Sequence, residues 1–226
     1  MSGAALALAV SNLEVTLEGA RVLRKLSFEA KPGQTIGLAG HNGAGKTTTL
    51  RAIMGVVKSR GRIFLDGRPI ERLPTPERAR LGIGYAPEDR RLITALSVAE
   101  NLRLPAEVRG LSAAEIERRL AAVRSLLPEL TSLEQRPAGL LSGGQQKIAA
   151  LGRALMIGER LLLLDEPFQG LAPALARRYG EALKALRRQR PELAILITES
   201  NPALLAPLVG QLYTIERGEI VHGGGE

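Results

Sequence analysis

The chain of 226 residues contains no cysteine and no tryptophan, and aromatic residues make up only 3% of it. The absence of cysteine excludes disulfides and thiolate metal sites. So few aromatic rings leave little on which unpaired bases could stack, which argues against a nucleic-acid-binding platform.

Long apolar runs are also missing, although hydrophobic residues are 45% of the total. No uninterrupted run approaches the roughly 20 residues that a membrane-spanning helix needs. The first ten residues are apolar but have no basic segment ahead of them, so we expect no signal peptide. The length fits one large domain, or a domain with a subdomain.

The net charge of +8 and the pI near 10.4 raise the question of an anionic partner. The 31 basic residues are scattered along the chain, with arginine pairs but no long basic block. We interpret the charge as an arginine-rich solvated surface and expect no nucleic-acid partner.

The best-defined motif is a glycine-rich stretch between a short apolar strand and a helix. It runs Gly40-His41-Asn42-Gly43-Ala44-Gly45-Lys46-Thr47 and continues with Thr48. The spacing matches Gly-x-x-x-x-Gly-Lys-[Ser/Thr], whose backbone N–H groups and helix N-terminus surround a phosphate. Lys46 would reach the β- and γ-phosphates, and the Thr47 hydroxyl would hold Mg²⁺. The alternative is a glycine turn without a ligand, but the Lys-Thr pair favours a site for cytosolic ATP or GTP.

A second motif is the apolar run at residues 161–164, which ends in Asp165 and Glu166. Carboxylates at the C-terminal end of a buried parallel strand lie where α/β proteins form ligand sites. Asp165 would assist the Mg²⁺ bound by Thr47, and Glu166 would polarise the attacking water. Two solvated acids at a strand end are the alternative, which the phosphate loop earlier in the chain makes less attractive.

A third motif consists of Leu141, Ser142, Gly143, Gly144 and Gln145, directly before a helix. Two glycines and a serine at a helix start form a second anion cradle. One nucleotide does not need two such cradles in one domain. We therefore expect this one to serve a nucleotide held by another subunit.

The order of predicted elements indicates an α/β fold. Strands alternate with helices through most of the chain, which is typical of a mostly parallel sheet with helices on both faces. Two strand-like runs at residues 6–17 and 22–30, separated by a turn, predict an N-terminal antiparallel β subdomain. The pattern of residues 97–157 predicts a helical insert, with capping-box spacing at Ser97/Glu100 and again at Ser112/Glu115.

The three motifs, in this order, resemble those of the ATP-binding-cassette ATPases, and the resemblance covers essentially the whole chain. The pentapeptide beginning at Leu141 is its most specific part. The resemblance implies one ATPase domain over residues 1–226, with ATP and Mg²⁺ as cofactors. It also implies a head-to-tail dimer, homomeric or heteromeric, in which each ATP lies between the phosphate loop of one subunit and the Ser142 cradle of the other.

Within that family, several stretches resemble the smaller ATPase of branched-chain (hydrophobic) amino-acid importers. They are residues 84–91, residues 97–102 at the matching distance, and residues 170–173. The stretch around Glu88 and the run Gln145-Gln146-Lys147 also resemble sugar-importer ATPases, which remain the competing subtype.

Among the departures from the usual family pattern, three concern candidate site residues. Glu88 stands where most members have a glutamine, and it could still ligate Mg²⁺. Ser200 stands where a switch histidine is expected, and it can hydrogen-bond a phosphate but cannot supply an imidazolium. Leu17 occupies the region of the aromatic ring that stacks on adenine. We predict Glu166, Lys46, Glu88 and Ser200 as catalytic residues, and Thr47, Asp165 and Glu88 as oxygen ligands of Mg²⁺.

The resemblance implies a cytoplasmic subunit that docks on transmembrane permease subunits at the inner face of the cell membrane. There it would drive import of a small solute, such as a hydrophobic amino acid, delivered by a solute-binding protein. Two other functions stay open. One is a soluble cassette ATPase of nucleic-acid repair, translation or cluster assembly, and the other is a cassette that binds ATP without turnover.

Overall fold

The structure is a computed structural model that describes residues 6–224. Within this range, ten strands are formed: β1 Leu8–Leu17, β2 Ala20–Ala30, β3 Thr35–Ala39, β4 Arg60–Leu65, β5 Arg68–Pro69, β6 Ile83–Ala86, β7 Leu161–Asp165, β8 Ala194–Glu199, β9 Gln211–Glu216 and β10 Glu219–Gly224. The α-helices of the same range are α1 Lys46–Met54, α2 Thr75–Arg80, α3 Val98–Val108, α4 Ala113–Leu126, α5 Gly143–Leu155 and α6 Pro173–Gln189. The predicted α/β fold is confirmed.

The larger sheet contains six of the described strands in the order β10-β9-β3-β8-β7-β6. All neighbours in it are parallel except β10, which pairs antiparallel with β9. Every residue of β3, β7 and β8 is buried, as expected for parallel strands covered on both faces. The mostly parallel core predicted from the sequence is therefore present.

The smaller sheet is antiparallel, in the order β2-β1-β4-β5 over the described residues. Strands β1 and β2 are joined by a two-residue turn in which Glu18 and Gly19 both have positive φ, 49° and 82°. Such a turn matches the twist of a hairpin. Strand β2 consequently begins at Ala20, two residues earlier than the sequence predicts.

The helical region lies between β6 and β7 and contains α3, α4 and α5. Ser97 and Glu100 form the reciprocal capping box expected of them. The second predicted box is only half formed. Ser112 accepts the Glu115 N–H, but the Glu115 carboxylate pairs with Arg118 and Arg119 instead of returning to the cap.

The sheet order brings distant parts of the chain to one edge of the core. Strand β3 lies beside β8, with Ala39 opposite Glu199, and β8 lies beside β7, with Thr198 opposite Asp165. The loops that leave β3, β7 and β8 therefore start side by side. Among the helices described, none has the length and apolar character needed to cross a membrane.

Candidate nucleotide-binding site

The glycine-rich loop connects β3 to α1, and at two of its glycines a larger residue would clash with neighbouring atoms. Gly45 has φ 113°, and a Cβ there would lie 2.7 Å from Leu23 Cδ2. A Cβ on Gly40 would lie 2.3 Å from the Ile215 carbonyl oxygen. Helix α1 begins at Lys46, so its first backbone N–H groups face the loop and are available to an anion.

The Lys46 ammonium lies at the centre of the site and is only 4% exposed. It donates to the carbonyl oxygens of Gly40, at 2.6 Å, and His41, at 3.0 Å. It also lies 3.0 Å from Glu166 Oε1 and 3.1 Å from Ser200 Oγ. The phosphate loop and the second motif, separated by more than 100 residues, thus meet through this lysine.

Asp165 accepts hydrogen bonds from three hydroxyl groups. Its Oδ1 accepts from Thr47 Oγ1 at 3.0 Å and from Thr198 Oγ1 at 2.9 Å, and its Oδ2 accepts from the Tyr85 hydroxyl at 3.2 Å. Burial raises the pKa of Asp165, while the three donors oppose that shift. The sequence did not single out Thr198 or Tyr85, because only the sheet order places them beside Asp165.

The donor set around Thr47 and Asp165 fits Mg²⁺, which prefers oxygen ligands. No cluster of three or more His, Cys, Asp or Glu side chains able to hold a metal occurs in residues 6–224. Mg²⁺ is commonly bound by one or two carboxylates together with substrate phosphates. A site with one carboxylate and one hydroxyl from the protein therefore fits Mg²⁺ that is also bound by a nucleotide.

Glu166 is buried and has a strained backbone. Its φ of 44° is in the left-handed region, which costs a non-glycine residue roughly 1–2 kcal/mol. The Glu166 N–H donates to the Thr198 carbonyl at 3.1 Å and to Thr198 Oγ1 at 3.2 Å. Its Oε1 contacts Lys46 and Ser200, whereas Oε2 is buried and has no hydrogen-bond partner among the described residues. Backbone strain of this kind clusters at functional sites.

Ser200 occupies the position where the family pattern predicts a histidine, and it lies at the site. Its Oγ is 2.7 Å from Asn42 Oδ1 and 2.9 Å from Glu166 Oε1. The serine therefore connects the phosphate loop to the second motif without an imidazole.

A cavity of about 330 Å³ opens over the phosphate loop. Its lining residues are Val22, Asn42, Gly43, Gly45, Lys46, Thr47, Thr48, Glu88 and Glu166. Glu88, an exposed residue of the loop after β6, is thus brought to the site. Leu17, the residue predicted to contact the base, is 38% exposed and is not among the lining residues. Val22 of β2 lines the cavity instead, and no sequence signal distinguished it.

The third motif lies apart from this cavity, since none of its residues lines it. Ser142 caps α5: its Oγ accepts the Gln145 N–H at 3.3 Å, and Gln145 Oε1 accepts the Ser142 N–H at 2.9 Å. Leu141 is buried and anchors the turn, whereas Ser142 and Gly143 are exposed and Gly144 is half-buried. The cradle is therefore open to another molecule rather than to the chain's own phosphate loop.

The chain is similar to known proteins over most of its length. Residues 23–169 match the family described as ABC transporter. The chain is 35% identical over 204 residues to the lipopolysaccharide export system ATP-binding protein LptB of Acidithiobacillus ferridurans, covering 90% of this chain and 83% of that protein. It is also 35% identical over 202 residues to the high-affinity branched-chain amino acid transport ATP-binding protein BraG of Pseudomonas aeruginosa, covering 89% of this chain and 85% of that protein. Among solved structures, the ADP conformation of MJ1267, an ATP-binding cassette of an ABC transporter, superimposes with a TM-score of 0.83 at 26% identity, covering 98% of this chain and 91% of that one.

Proposed function

The chain is an ATPase subunit of the ABC transporter family, and we propose both how its residues hydrolyse ATP and which transport process that hydrolysis drives. The phosphates of ATP lie in the cavity over the phosphate loop, and Glu166 is the base that accepts a proton from the attacking water. The observation that carries this assignment is the meeting of Lys46 and Thr47 with Glu166 and Asp165, at 3.0 Å in each pair.

Lys46 has the central binding role in this proposal. In the structure its ammonium is paired with Glu166. The γ-phosphate offers that ammonium a stronger anionic partner, so binding of ATP draws Lys46 to the phosphate and frees the carboxylate for the water. Loop N–H groups and the start of α1 bind the remaining phosphate oxygens.

Mg²⁺ would be held by Thr47 and Asp165, with Glu88 as a further oxygen ligand at the cavity edge. When bound, it supplies positive charge that offsets the charge of the phosphate oxygens. Val22 provides an apolar contact near the loop, and Leu17 stays a predicted contact of the base.

The working unit we propose is a dimer in which the Ser142 cradle of each subunit completes the site of the other. It is supported by the exposure of Ser142 and Gly143 and by their separation from the chain's own cavity. The chain acts as a single domain over residues 1–226, with the helical insert at 97–157. Permease subunits would dock beside the Glu88 loop and this insert, at the inner face of the cell membrane.

For the transported solute, we propose a hydrophobic amino acid, imported with the help of a solute-binding protein. The supporting features are residues 84–91 and 170–173 and the likeness to BraG. A second candidate is export of a lipopolysaccharide-type lipid, which the equal identity to LptB favours. The sugar-importer subtype, which the stretch around Glu88 and the run Gln145-Gln146-Lys147 also resemble, is the remaining alternative.

The first test measures Mg²⁺-dependent ATP hydrolysis by the purified chain and by Glu166→Gln. We expect the variant to lose about a hundredfold or more in kcat while it still binds ATP, because it keeps the phosphate contacts but lacks the base. Glu192→Gln, at an exposed glutamate, is the matched control. Turnover by Glu166→Gln close to that of the wild type would overturn the assignment of the base.

The second test addresses the solute. Membranes of the source cell are solubilised, and the tagged Glu166→Gln chain, loaded with ATP, is used to isolate its permease. The permease is then separated from the variant chain, combined with the wild-type chain, reconstituted, and assayed for ATP-driven uptake of labelled leucine and for lipid extraction. Uptake of leucine supports the importer, whereas lipid extraction without uptake favours the second candidate.

A further inference from the structure

A second buried lysine contacts the backbone of the proposed catalytic glutamate. Lys147 is the fifth residue of α5, is only 7% exposed, and donates from Nζ to the backbone carbonyl oxygen of Glu166. It does not line the cavity over the phosphate loop. Lys147 belongs to neither the phosphate loop nor the carboxylate motif, and the mechanism proposed above assigns it no role.

The carbonyl that Lys147 contacts belongs to the residue with the strained backbone. Glu166 has φ 44°, and its N–H is held by Thr198 on β8. Its carbonyl accepts from Lys147 and, at 3.3 Å, from the Gln169 N–H that closes the following turn. The left-handed backbone of Glu166 is therefore fixed on one side by β8 and on the other by the ammonium from α5.

The turn after Glu166 has a further buried support. Glu199, at the end of β8, is 2% exposed, and its Oε1 accepts the Phe168 N–H at 2.8 Å. Burial raises the pKa of Glu199 to about 7, and the nearby Lys147 ammonium opposes that shift. Burial in turn lowers the pKa of Lys147, which Glu199, Glu88 and Glu166 oppose. Two buried side chains thus contact the backbone of one short segment, residues 166–169: Lys147 at Glu166 and Glu199 at Phe168.

Helix α5 also begins at the serine that we expect to meet the other subunit's nucleotide. Ser142 and Lys147 are five residues apart, about 7.5 Å along the helix axis. A rigid helix of 13 residues transmits a displacement of its N-terminus to Lys147. A shift of Lys147 would in turn act on the peptide that follows Glu166.

We propose that Lys147 is a positioning residue for hydrolysis: from the helix that starts at Ser142, it holds the backbone of Glu166 so that the carboxylate faces the attacking water. This inference rests on the proposed role of Glu166 as the base. The rate of hydrolysis then depends on the position of α5 as well as on the binding of ATP. The phosphate contacts of Lys46 and Thr47 do not involve Lys147.

The alternative is that Lys147 only stabilises the fold. The two roles differ in kinetics. A positioning role lowers kcat and leaves KM for ATP nearly unchanged, and its effect disappears when the glutamate it positions is already lost. A purely structural role lowers thermal stability and leaves the rate constants of the folded molecules intact.

The experiment compares Lys147→Met, which keeps the length and apolar stem, with Lys147→Arg, which keeps a charged donor. We expect Lys147→Met to lower kcat about tenfold or more with KM within about twofold, because a small misplacement of a reacting group is costly. We expect Lys147→Arg to recover most of that loss. Lys184→Met, at a half-exposed lysine of α6, is the matched control.

The same substitution is then placed in the Glu166→Gln background and followed by single-turnover hydrolysis of labelled ATP. We expect Lys147→Met to change the residual rate less than twofold there. An equal factor in both backgrounds, or a kcat within twofold of wild type in the single variant, overturns the inference. If Lys147→Met does not fold, as judged by circular dichroism, Lys147→Gln is measured under the same criteria. Failure of the proposed function is recognised separately, since Glu166→Gln itself would then retain turnover.

Discussion

At the scale of single residues, the Ser200 hydroxyl connects the phosphate loop to the carboxylate motif. Its Oγ lies 2.7 to 3.1 Å from Asn42 Oδ1, Glu166 Oε1 and Lys46 Nζ. A hydroxyl can donate once and accept twice, so it can accept from the ammonium while donating to one of the two oxygens. A histidine at this position would bring a titratable ring, whereas serine makes the contact independent of pH near neutrality.

We predict that Ser200→Ala lowers kcat about three- to tenfold, because a hydrogen bond to a charged group contributes roughly 1.5–3 kcal/mol and the proposed mechanism uses only part of it. Steady-state hydrolysis measures the effect. Ser200→Thr keeps the hydroxyl and is the control, with an expected rate near that of the wild type. Equal rates for Ser200→Ala and the wild type would show that the hydroxyl is dispensable.

At the scale of elements, one buried arginine joins α1 to α2. Arg78 is 3% exposed and donates to four carbonyl oxygens, those of Ala52 and Ile53 at the end of α1 and those of Glu71 and Leu73 before α2. Its side chain fills the space beside Gly55, where an added Cβ would lie 2.8 Å from the guanidinium Nε. Arg78 therefore caps the helix whose other end carries Lys46.

We predict that Arg78→Met destabilises the chain by about 3 kcal/mol or more, because it removes four hydrogen bonds of a buried guanidinium, two of them buried and two part-buried. Urea denaturation followed by circular dichroism gives the free energy of unfolding. Arg80→Met, two residues later and exposed, is the matched control and should change stability by less than about 0.5 kcal/mol. A similar loss in both variants would contradict the capping role.

Helix α5 shows a related feature at the same scale. Besides Lys147, its Arg153 donates to the carbonyls of Arg90 and Arg91, which have φ of 63° and 48°. Both cationic side chains thus hold carbonyls of left-handed residues in loops at the edge of the site. The sequence predicts a helix directly after the third motif but not these contacts, because they depend on which loops the fold places against that helix.

At the scale of the whole molecule, the phosphate loop and the Ser142 cradle belong to different surfaces. The cavity that Lys46 lines contains no residue of the cradle. A head-to-tail dimer resolves this separation, since each nucleotide would be enclosed by one surface from each subunit.

We predict that two inactive variants restore activity when mixed. Ser142→Arg blocks the cradle, and Lys46→Ala removes the lysine of the phosphate loop. In a homodimer of either variant, both nucleotide sites therefore lack one of their two functional surfaces. A mixed dimer contains one intact site, and hydrolysis should recover to a substantial fraction of the wild-type rate.

Mixing either single variant with the doubly substituted chain is the control and should recover nothing. Recovery is followed by ATP hydrolysis as a function of the mixing ratio, with the dimer measured by analytical ultracentrifugation. If dimers form and activity stays absent at every ratio, the cradle does not act on the other subunit's nucleotide.

The sequence alone determined the features that are local in the chain. The phosphate loop needs a glycine at position 45 and a helix that begins at Lys46, and consecutive residues of the sequence meet both requirements. The alternation of strands and helices likewise predicted the mostly parallel sheet, because side-chain periodicity reports local geometry.

Only the tertiary structure decided which distant residues meet. Ser200 is 154 positions from Lys46 and 34 from Glu166, and Lys147 is 19 from Glu166. These contacts arise because β8 is placed between β3 and β7 and α5 packs against the segment after β7, an order that the period of the pattern does not encode. Val22 of β2, rather than Leu17 of β1, lines the cavity, and the pattern of these strands does not encode that placement either. Local chemistry is set by neighbours in sequence, whereas the geometry of a site built from several loops is set by long-range pairing of strands and packing of helices.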